Sequence, residues 1–169
     1  MRGFLLDTNI VSELRRPAPD FLVEGFVAAQ PEEFLFLSEI VFAEIRYGIE
    51  RLDDPARRVQ LSDWLDNNLR PLFAGRALPV SEDVVLRWRL LLDAGRRRGH
   101  TFGQPDLFIA ATGALHDLVC VTRDIDHFVA AGVATLDPWT GRFFAGGEFV
   151  RTLERLDDSA LIERLAAES

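Results

Sequence analysis

The sequence contains no lysine, so all 19 of its Lys+Arg residues are arginines. This absence excludes a phosphate-binding loop ending in Gly-Lys-Ser/Thr, a lysine Schiff base and a lysine nucleophile. The single cysteine, Cys120, excludes a disulfide within the chain and a zinc site built from cysteines, and we expect it to be a buried structural thiol. Long apolar runs are also missing, so we expect neither a membrane span nor a secretory signal, and therefore a cytoplasmic protein.

Positive charge is scarce relative to negative charge. The chain has 27 acidic residues and a formal net charge of −8. Its average surface therefore repels nucleic acid, and a polyanion can bind only through a local basic patch or bound cations. Hydrophobic residues make up 48% of the 169 residues, which is enough for one domain with a real core.

Short apolar runs alternate with helical patterns along most of the chain. Strands are predicted at residues 4–6, 34–37, 77–80, 118–121 and 133–136. Helices are predicted from about residue 8 and over 38–51, 55–69, 81–98, 105–116 and 125–130. This alternation predicts an α/β fold with a parallel sheet covered on both faces.

The pattern changes after Pro138. Gly141, Gly146 and Gly147 interrupt an aromatic stretch, and an amphipathic pattern then predicts a helix over about 149–167. We therefore predict one domain over residues 1–138 and a C-terminal extension over 139–169.

Two acidic residues directly follow predicted strands. Asp7 comes after the strand at 4–6, and Asp124 comes shortly after the strand at 118–121. Ligands of open parallel sheets bind at the carboxyl ends of the strands, so both side chains are candidates for a binding site. Helix capping for Asp7 and a turn role for Asp124 remain alternatives, with Asp126 as a rival to Asp124.

Two further acids lie on helix faces that also carry apolar or small residues. Glu44 shares its face with Ile40 and Tyr47, and Asp106 shares its face with Ala110. A buried carboxylate needs a partner, which is either an arginine or a metal ion. Asp106 also lies in the first turn of its helix, where a capping role is equally open.

Taken together, two strand ends and two helix faces can bring four acids to one edge of the sheet. Such a cluster needs compensation, and Mg²⁺ or Mn²⁺ is the compensating group that requires only oxygen ligands. A hard divalent cation lowers the pKa of bound water and polarises a phosphoryl oxygen. The implied chemistry is hydrolysis of a phosphodiester.

Four segments of the chain resemble the PIN domain nucleases, and most closely the toxins of bacterial VapBC toxin–antitoxin pairs. The matching segments are residues 5–14, 38–48, 106–112 and 121–128. They occur in the family's order and span residues 1 to about 138. The resemblance implies a PIN-like three-layer α/β/α sandwich with a mostly parallel central sheet.

The resemblance also implies an activity and partners. The expected activity is a Mg²⁺- or Mn²⁺-dependent endoribonuclease that cuts structured RNA such as tRNA or rRNA. The expected assembly is a homodimer with a cognate VapB-type antitoxin, whose C-terminal segment wraps the toxin and blocks its site. The alternative is a non-cleaving PIN-like module that binds RNA or a protein, although such a module has no need to keep four acids together.

By position, Asp7, Glu44, Asp106 and Asp124 correspond to the family's acidic quartet. Asp7 and Asp106 are expected to be the main metal ligands, with Glu44 as a ligand or water positioner. Asp124 is expected to bind a second or water-bridged metal. The supporting residues implied beside these acids are Thr8, Thr122 and Asp126.

Two features outside the quartet are open to two interpretations. Arg96, Arg97 and Arg98 either contact RNA phosphates or cap helix carbonyls. The predicted helix of the extension either packs on its own domain or lies in a groove as an antitoxin helix would.

Overall fold

The computed structural model describes residues 1–167, and its centre is a seven-stranded sheet with the order β3-β2-β1-β4-β5-β6-β7. The strands are β1 (Phe4–Leu6), β2 (Leu35–Ser38), β3 (Ala77–Leu78), β4 (Val119–Val121), β5 (Thr135–Asp137), β6 (Arg142–Ala145) and β7 (Glu148–Thr152). The first five strands are parallel, and the last two are antiparallel. The sheet is therefore mostly parallel, as predicted.

Every residue of the central strands β1 and β4 is buried, whichever face of the sheet its side chain lies on. Helices therefore cover both faces of this sheet. The helices are α1 (Thr8–Leu14), α2 (Phe21–Ala29), α3 (Glu39–Glu50), α4 (Pro55–Trp64), α5 (Arg70–Leu72), α6 (Glu82–Arg97), α7 (Gln104–His116), α8 (Ile125–Ala130) and α9 (Leu161–Ala167). A 3-10 turn, Glu32–Phe34, precedes β2, and a π-helical turn, Leu65–Leu69, joins α4 to α5.

The elements predicted between residues 34 and 137 are confirmed, and most of their ends differ by only one or two residues. Ser38 and Ser81 cap α3 and α6 by accepting hydrogen bonds from backbone amides. Cys120 is a buried thiol, as expected, and burial raises its pKa well above the usual range. Among residues 1–167, no helix combines the length and the apolar character needed to cross a membrane.

The helix α2 was not predicted from the sequence. The helix α2 begins after Asp20, whose carboxylate accepts hydrogen bonds from the amides of Leu22 and Val23. Val23 and Phe26 are fully buried, and the Phe26 ring packs edge-on against Phe4 of the central strand. An N-cap aspartate before an apolar run was the available signal.

The helix predicted over 149–167 is wrong over its first half, because residues 148–152 form the strand β7. Gly146 and Gly147 both adopt positive φ angles, of 60° and 86°, between the paired residues Ala145 and Glu148. Such a two-residue glycine turn is typical of a tight hairpin, since residues with a Cβ rarely adopt these angles. Within the described part of this segment, only Leu161–Ala167 are helical.

The extension packs into the same core as the rest of the chain. Leu161 and Leu165 of α9 are fully buried and belong to the same apolar cluster as Phe4 and Phe26. The buried side-chain amide of Gln30 donates hydrogen bonds to backbone carbonyls of the segment that precedes α9. The helix of the extension therefore packs on its own domain, whereas the division of the chain at residue 138 stays a prediction.

A substitution in α9 tests how strongly the extension stabilises the fold. We expect Leu161→Ala to lower the free energy of unfolding by about 2–5 kcal/mol, because it opens a cavity in the shared core. Leu90→Ala is the matched control, since Leu90 is 54% exposed and its loss should change stability by less than about 0.5 kcal/mol. Urea unfolding of both variants measures the difference, and equal stabilities would show that α9 is peripheral.

Candidate active site

Asp7 lies at the carboxyl end of the central strand and is held there by three hydrogen bonds. One carboxylate oxygen accepts from the backbone amide of Thr8 at 2.7 Å. The other accepts from the Thr122 hydroxyl at 2.6 Å and from the Asn9 amide at 2.9 Å. Asp7 is therefore the N-cap of α1, and the same carboxylate lies near those of Asp106 and Glu44, so capping does not exclude a role in a site.

The Asp7 carboxyl group is 4% exposed, and this burial changes its acidity. Loss of hydration raises its pKa to about 6, against the opposing effect of the hydrogen bonds from Thr122 and Thr8. The neighbouring carboxylates of Asp106 and Glu44 raise the pKa further. Burial and the neighbouring carboxylates thus disfavour the ionised form of Asp7.

Glu44 lies on α3 and points toward the same region, where the Thr8 hydroxyl donates a hydrogen bond to its carboxylate. Burial raises the pKa of Glu44, the bond from Thr8 lowers it, and Asp106 raises it. The expected apolar surroundings are only partly found, because Tyr47 on the same face is 64% exposed. The partner of Glu44 within the described chain is a hydroxyl and not an arginine.

Asp106 lies in the first turn of α7 and is half-buried. Burial raises its pKa, His127 lowers it, and the nearby Asp124 raises it. The His127 ring nitrogen is 3.9 Å from the Asp106 carboxylate, and its other nitrogen is 3.4 Å from a ring nitrogen of His100. The apolar or small residues predicted to share this helix face, including Ile109 and Ala110, are buried as expected.

Asp124 completes the group at the end of β4. Its backbone amide donates to the Thr122 hydroxyl at 3.0 Å, and the Asn9 side-chain amide lies 3.5 Å from its carboxylate. Asn9 also donates to the Thr122 hydroxyl at 2.9 Å. Thr122 and Asn9 therefore connect the two strand-end aspartates, Asp7 and Asp124, through one hydrogen-bond network.

The four acids line a single pocket of about 350 Å³. The other lining residues are Thr8, Asn9, Ser12, Glu13, Arg16, Arg123 and Trp139. Carboxylate oxygens are the ligands that Mg²⁺ and Mn²⁺ prefer, so the chemistry of the donors fits such an ion. Within residues 1–167, however, no three acidic, histidine or cysteine side chains are close enough together to form a metal-binding group.

Other residues singled out from the sequence lie outside this pocket. Asp126 is exposed and lines a neighbouring pocket with Asp106 and Asp124. Arg98 donates hydrogen bonds to the backbone carbonyls of Ala94 and Ala130, which is a capping arrangement. Arg96 and Arg97 are exposed at the end of α6.

Six residues of the pocket wall were not singled out as site residues from the sequence, namely Asn9, Ser12, Glu13, Arg16, Arg123 and Trp139. In the sequence, Asn9 is indistinguishable from an ordinary capping residue. Its hydrogen bond to Thr122 spans 113 positions of the chain, so no local pattern predicts it. Arg123 and Trp139 form a cation–π pair, with the guanidinium carbon 4.2 Å from the ring centroid. The available signal for Arg123 was its place beside Asp124 at the end of a predicted strand.

Comparison with known proteins places this geometry among its relatives. The sequence profile of the PIN domain matches residues 4–133. The VapC ribonuclease Y4jK of Sinorhizobium fredii is 36% identical over 135 residues, which are 80% of this chain and 96% of that protein. The toxin FitB of Neisseria gonorrhoeae is 37% identical over 80% of this chain and 97% of that protein.

Solved structures give the same result. The crystal structure of FitAcB from Neisseria gonorrhoeae superposes with a TM-score of 0.76 and 37% identity, over 80% of this chain and 98% of that chain. The structure of FitAB bound to an IR36 DNA fragment gives a TM-score of 0.75 and 35% identity, over 80% and 95% of the two chains.

The raised pKa of Asp7 predicts an unusual pH dependence of stability in EDTA. Between pH values near 4 and 6 the folded chain keeps a proton on Asp7 that the unfolded chain has lost, so this residue's contribution to stability falls as the pH rises. We expect the stability of the parent relative to Asp7→Asn to fall by about 2–3 kcal/mol across this range, at about 1.4 kcal/mol per pH unit.

Urea unfolding at several pH values measures this difference. Asp53→Asn is the control, because Asp53 is exposed and should give no such relative change. A difference between the parent and Asp7→Asn that stays constant from pH 4 to pH 7 would contradict the prediction.

Proposed function

This chain belongs to the PIN domain family, and from this premise we propose that it is the toxin of a toxin–antitoxin pair, a metal-dependent endoribonuclease that hydrolyses phosphodiester bonds of structured RNA. Its relatives include proteins named as ribonucleases and as toxins, and the similarity extends over nearly their whole length. tRNA and rRNA are the structured substrates that we propose.

One observation carries the proposal, which is the convergence of Asp7, Glu44, Asp106 and Asp124 on one pocket. These residues come from four separate places in the sequence and meet at the carboxyl edge of the parallel sheet. Three of them have raised pKa values, because burial and mutual repulsion oppose their ionisation. Repulsion among these carboxylates destabilises the protein without a cation, and a bound cation would relieve that repulsion.

We propose Asp7 and Asp106 as the main ligands of a Mg²⁺ or Mn²⁺ ion, supported by Glu44 and Asp124. When bound, such an ion lowers the pKa of a coordinated water and polarises a phosphoryl oxygen. The protein orients the ligands, since the Thr122 hydroxyl donates a hydrogen bond to the Asp7 carboxylate and the Thr8 hydroxyl donates one to the Glu44 carboxylate. These hydroxyls correspond to the supporting role that the resemblance implies for them.

We also propose a cognate VapB-type antitoxin as partner, and a homodimeric toxin. The solved relatives include FitAB and VapBC complexes, some of them bound to DNA. A nuclease of structured RNA damages its own host, so a partner that covers the acid pocket is a functional requirement of this proposal.

Cleavage of RNA tests the proposed activity directly. We expect the purified chain to cut total RNA with Mn²⁺ or Mg²⁺ and to be inactive in EDTA. Asp7→Asn and Asp106→Asn should each lower the rate at least about a hundredfold, because losing a residue that merely supports a metal ligand typically costs 10- to 100-fold. Asp53→Asn is the matched control, since Asp53 is exposed and lines neither the acid pocket nor the pocket beside it, and it should keep most of the activity.

The alternative module that binds without cleaving predicts a different result. If the parent is inactive with both metals yet still binds RNA or a protein partner, the endoribonuclease is contradicted. Equal activity of the parent and the two variants would instead place the chemistry outside the acid pocket.

Growth of a bacterial host tests the toxin role. We expect expression of the chain to arrest growth, and expression of Asp7→Asn to the same level to be harmless, because only the first retains the acid pocket. Co-expression of a cognate antitoxin should restore growth and yield a complex with the chain on size-exclusion chromatography. Normal growth with the active parent would contradict the role as a toxin.

A further inference from the structure

Arg123 lies on the boundary between the acid pocket and a second pocket of about 490 Å³. Both pockets are lined by Asp106, Arg123 and Asp124, so they adjoin each other, and we call the two together the trough. Arg142 lines the second pocket and not the first. In a chain of net charge −8, two arginines therefore line the second pocket beside three aspartates.

Two contacts hold the Arg123 side chain in place and leave half of it exposed. Its guanidinium lies over the Trp139 ring at 4.2 Å and 4.0 Å from the carboxylate of Glu13. That carboxylate is buried and is already engaged by the Asp20 amide at 2.9 Å and by Arg16 at 3.1 Å. The Arg123 side chain is 52% exposed, lines both pockets and donates no side-chain hydrogen bond within residues 1–167.

A short turn after β5 positions both Trp139 and Arg142. The Asp137 carboxylate accepts hydrogen bonds from the Trp139 amide at 3.0 Å and the Thr140 hydroxyl at 2.6 Å, and it lies 3.6 Å from the Arg142 guanidinium. This turn lies beyond residue 133, where the PIN domain profile ends. Each arginine therefore has one partner from beyond the matched residues, Trp139 for Arg123 and Asp137 for Arg142.

The lining of the trough favours RNA over an acidic peptide as its occupant. Asp106, Asp124 and Asp126 also face the trough, and they repel carboxylates and phosphates alike. A strand of RNA satisfies both charge types, because its phosphates can bind the arginines and can share divalent cations with the aspartates. An acidic peptide bears the same charge and is a weaker ligand for a site that needs shared cations.

We propose that Arg123 and Arg142 bind backbone phosphates of the RNA on the Asp124 side of the cleavage site, and that Trp139 is a positioning residue for Arg123. This inference rests on the proposed ribonuclease function and adds the direction in which the substrate leaves the acid pocket. It assigns a substrate-binding role to the turn at residues 137–142.

The salt dependence of RNA binding tests the two arginines separately from catalysis. The probe is a labelled single-stranded oligouridylate, titrated in Mg²⁺ with Asp7→Asn so that it is not cut. Adding Arg123→Ala or Arg142→Ala should weaken binding about tenfold and reduce the slope of log affinity against log salt by about 0.7 each. Arg2→Ala is the matched control, because Arg2 precedes β1 and lies at the opposite end of that strand from Asp7.

Two further variants separate phosphate binding from a structural role. Arg123→Lys should retain most of the salt slope, because the positive charge is kept. Trp139→Phe should bind RNA better than Trp139→Ala, because a ring remains under the guanidinium. In the cleaving parent, Arg123→Ala should raise KM about tenfold with little change in kcat.

The outcomes distinguish this inference from the function on which it rests. Unchanged slopes and KM values in the arginine variants, with RNA cleavage by the parent intact, would overturn the inference and leave the ribonuclease in place. A chain that neither binds nor cuts RNA would overturn both. An equal loss of affinity in Arg2→Ala would show a general charge effect and would also overturn the inference.

Discussion

The hydrogen bond between the Thr122 hydroxyl and the Asp7 carboxylate is the interaction on which the rest of the site depends. It joins the ends of β1 and β4, two central strands, and it opposes the rise that burial causes in the pKa of Asp7. The Asn9 side chain and the Asp124 backbone amide both donate hydrogen bonds to this hydroxyl. Thr122 therefore links Asp7 and Asp124, the two acids at the strand ends. The parallel sheet brings the acids together, and this small network decides how they face the pocket.

The sequence predicted the fold well wherever a buried strand or a capped helix could be recognised locally. Hydrophobic periodicity and capping serines are local signals, and they located the central strands, α3 and α6. The hairpin of the extension was missed because a helical pattern of apolar residues outweighed Gly146 and Gly147, although this pair favours a tight turn. The amphipathic pattern was real only from Leu161 onward.

The acids of the candidate site could be predicted from the sequence, but the residues that position them could not. Asp7 and Asp124 follow buried strands, so their meeting follows from the topology of a parallel sheet. The roles of Asn9 and Trp139 depend on contacts with residues far away in the sequence or across the sheet end, and no local pattern encodes such contacts. The surroundings of Glu44 were misjudged for the same reason, because helical spacing does not say which neighbours a face meets.

Asp137 shows how the extension supports a buried acid of the preceding domain. Like Asp7, it lies at the carboxyl end of a parallel strand and is almost fully buried, but Trp139, Thr140 and Arg142 all contact its carboxylate. In a chain ending before Thr140, the hydrogen bond from the Thr140 hydroxyl and the ion pair with Arg142 would both be lost. Such a chain would bury this acid with few partners, which is destabilising, so the strand β5 depends on the extension for its stability.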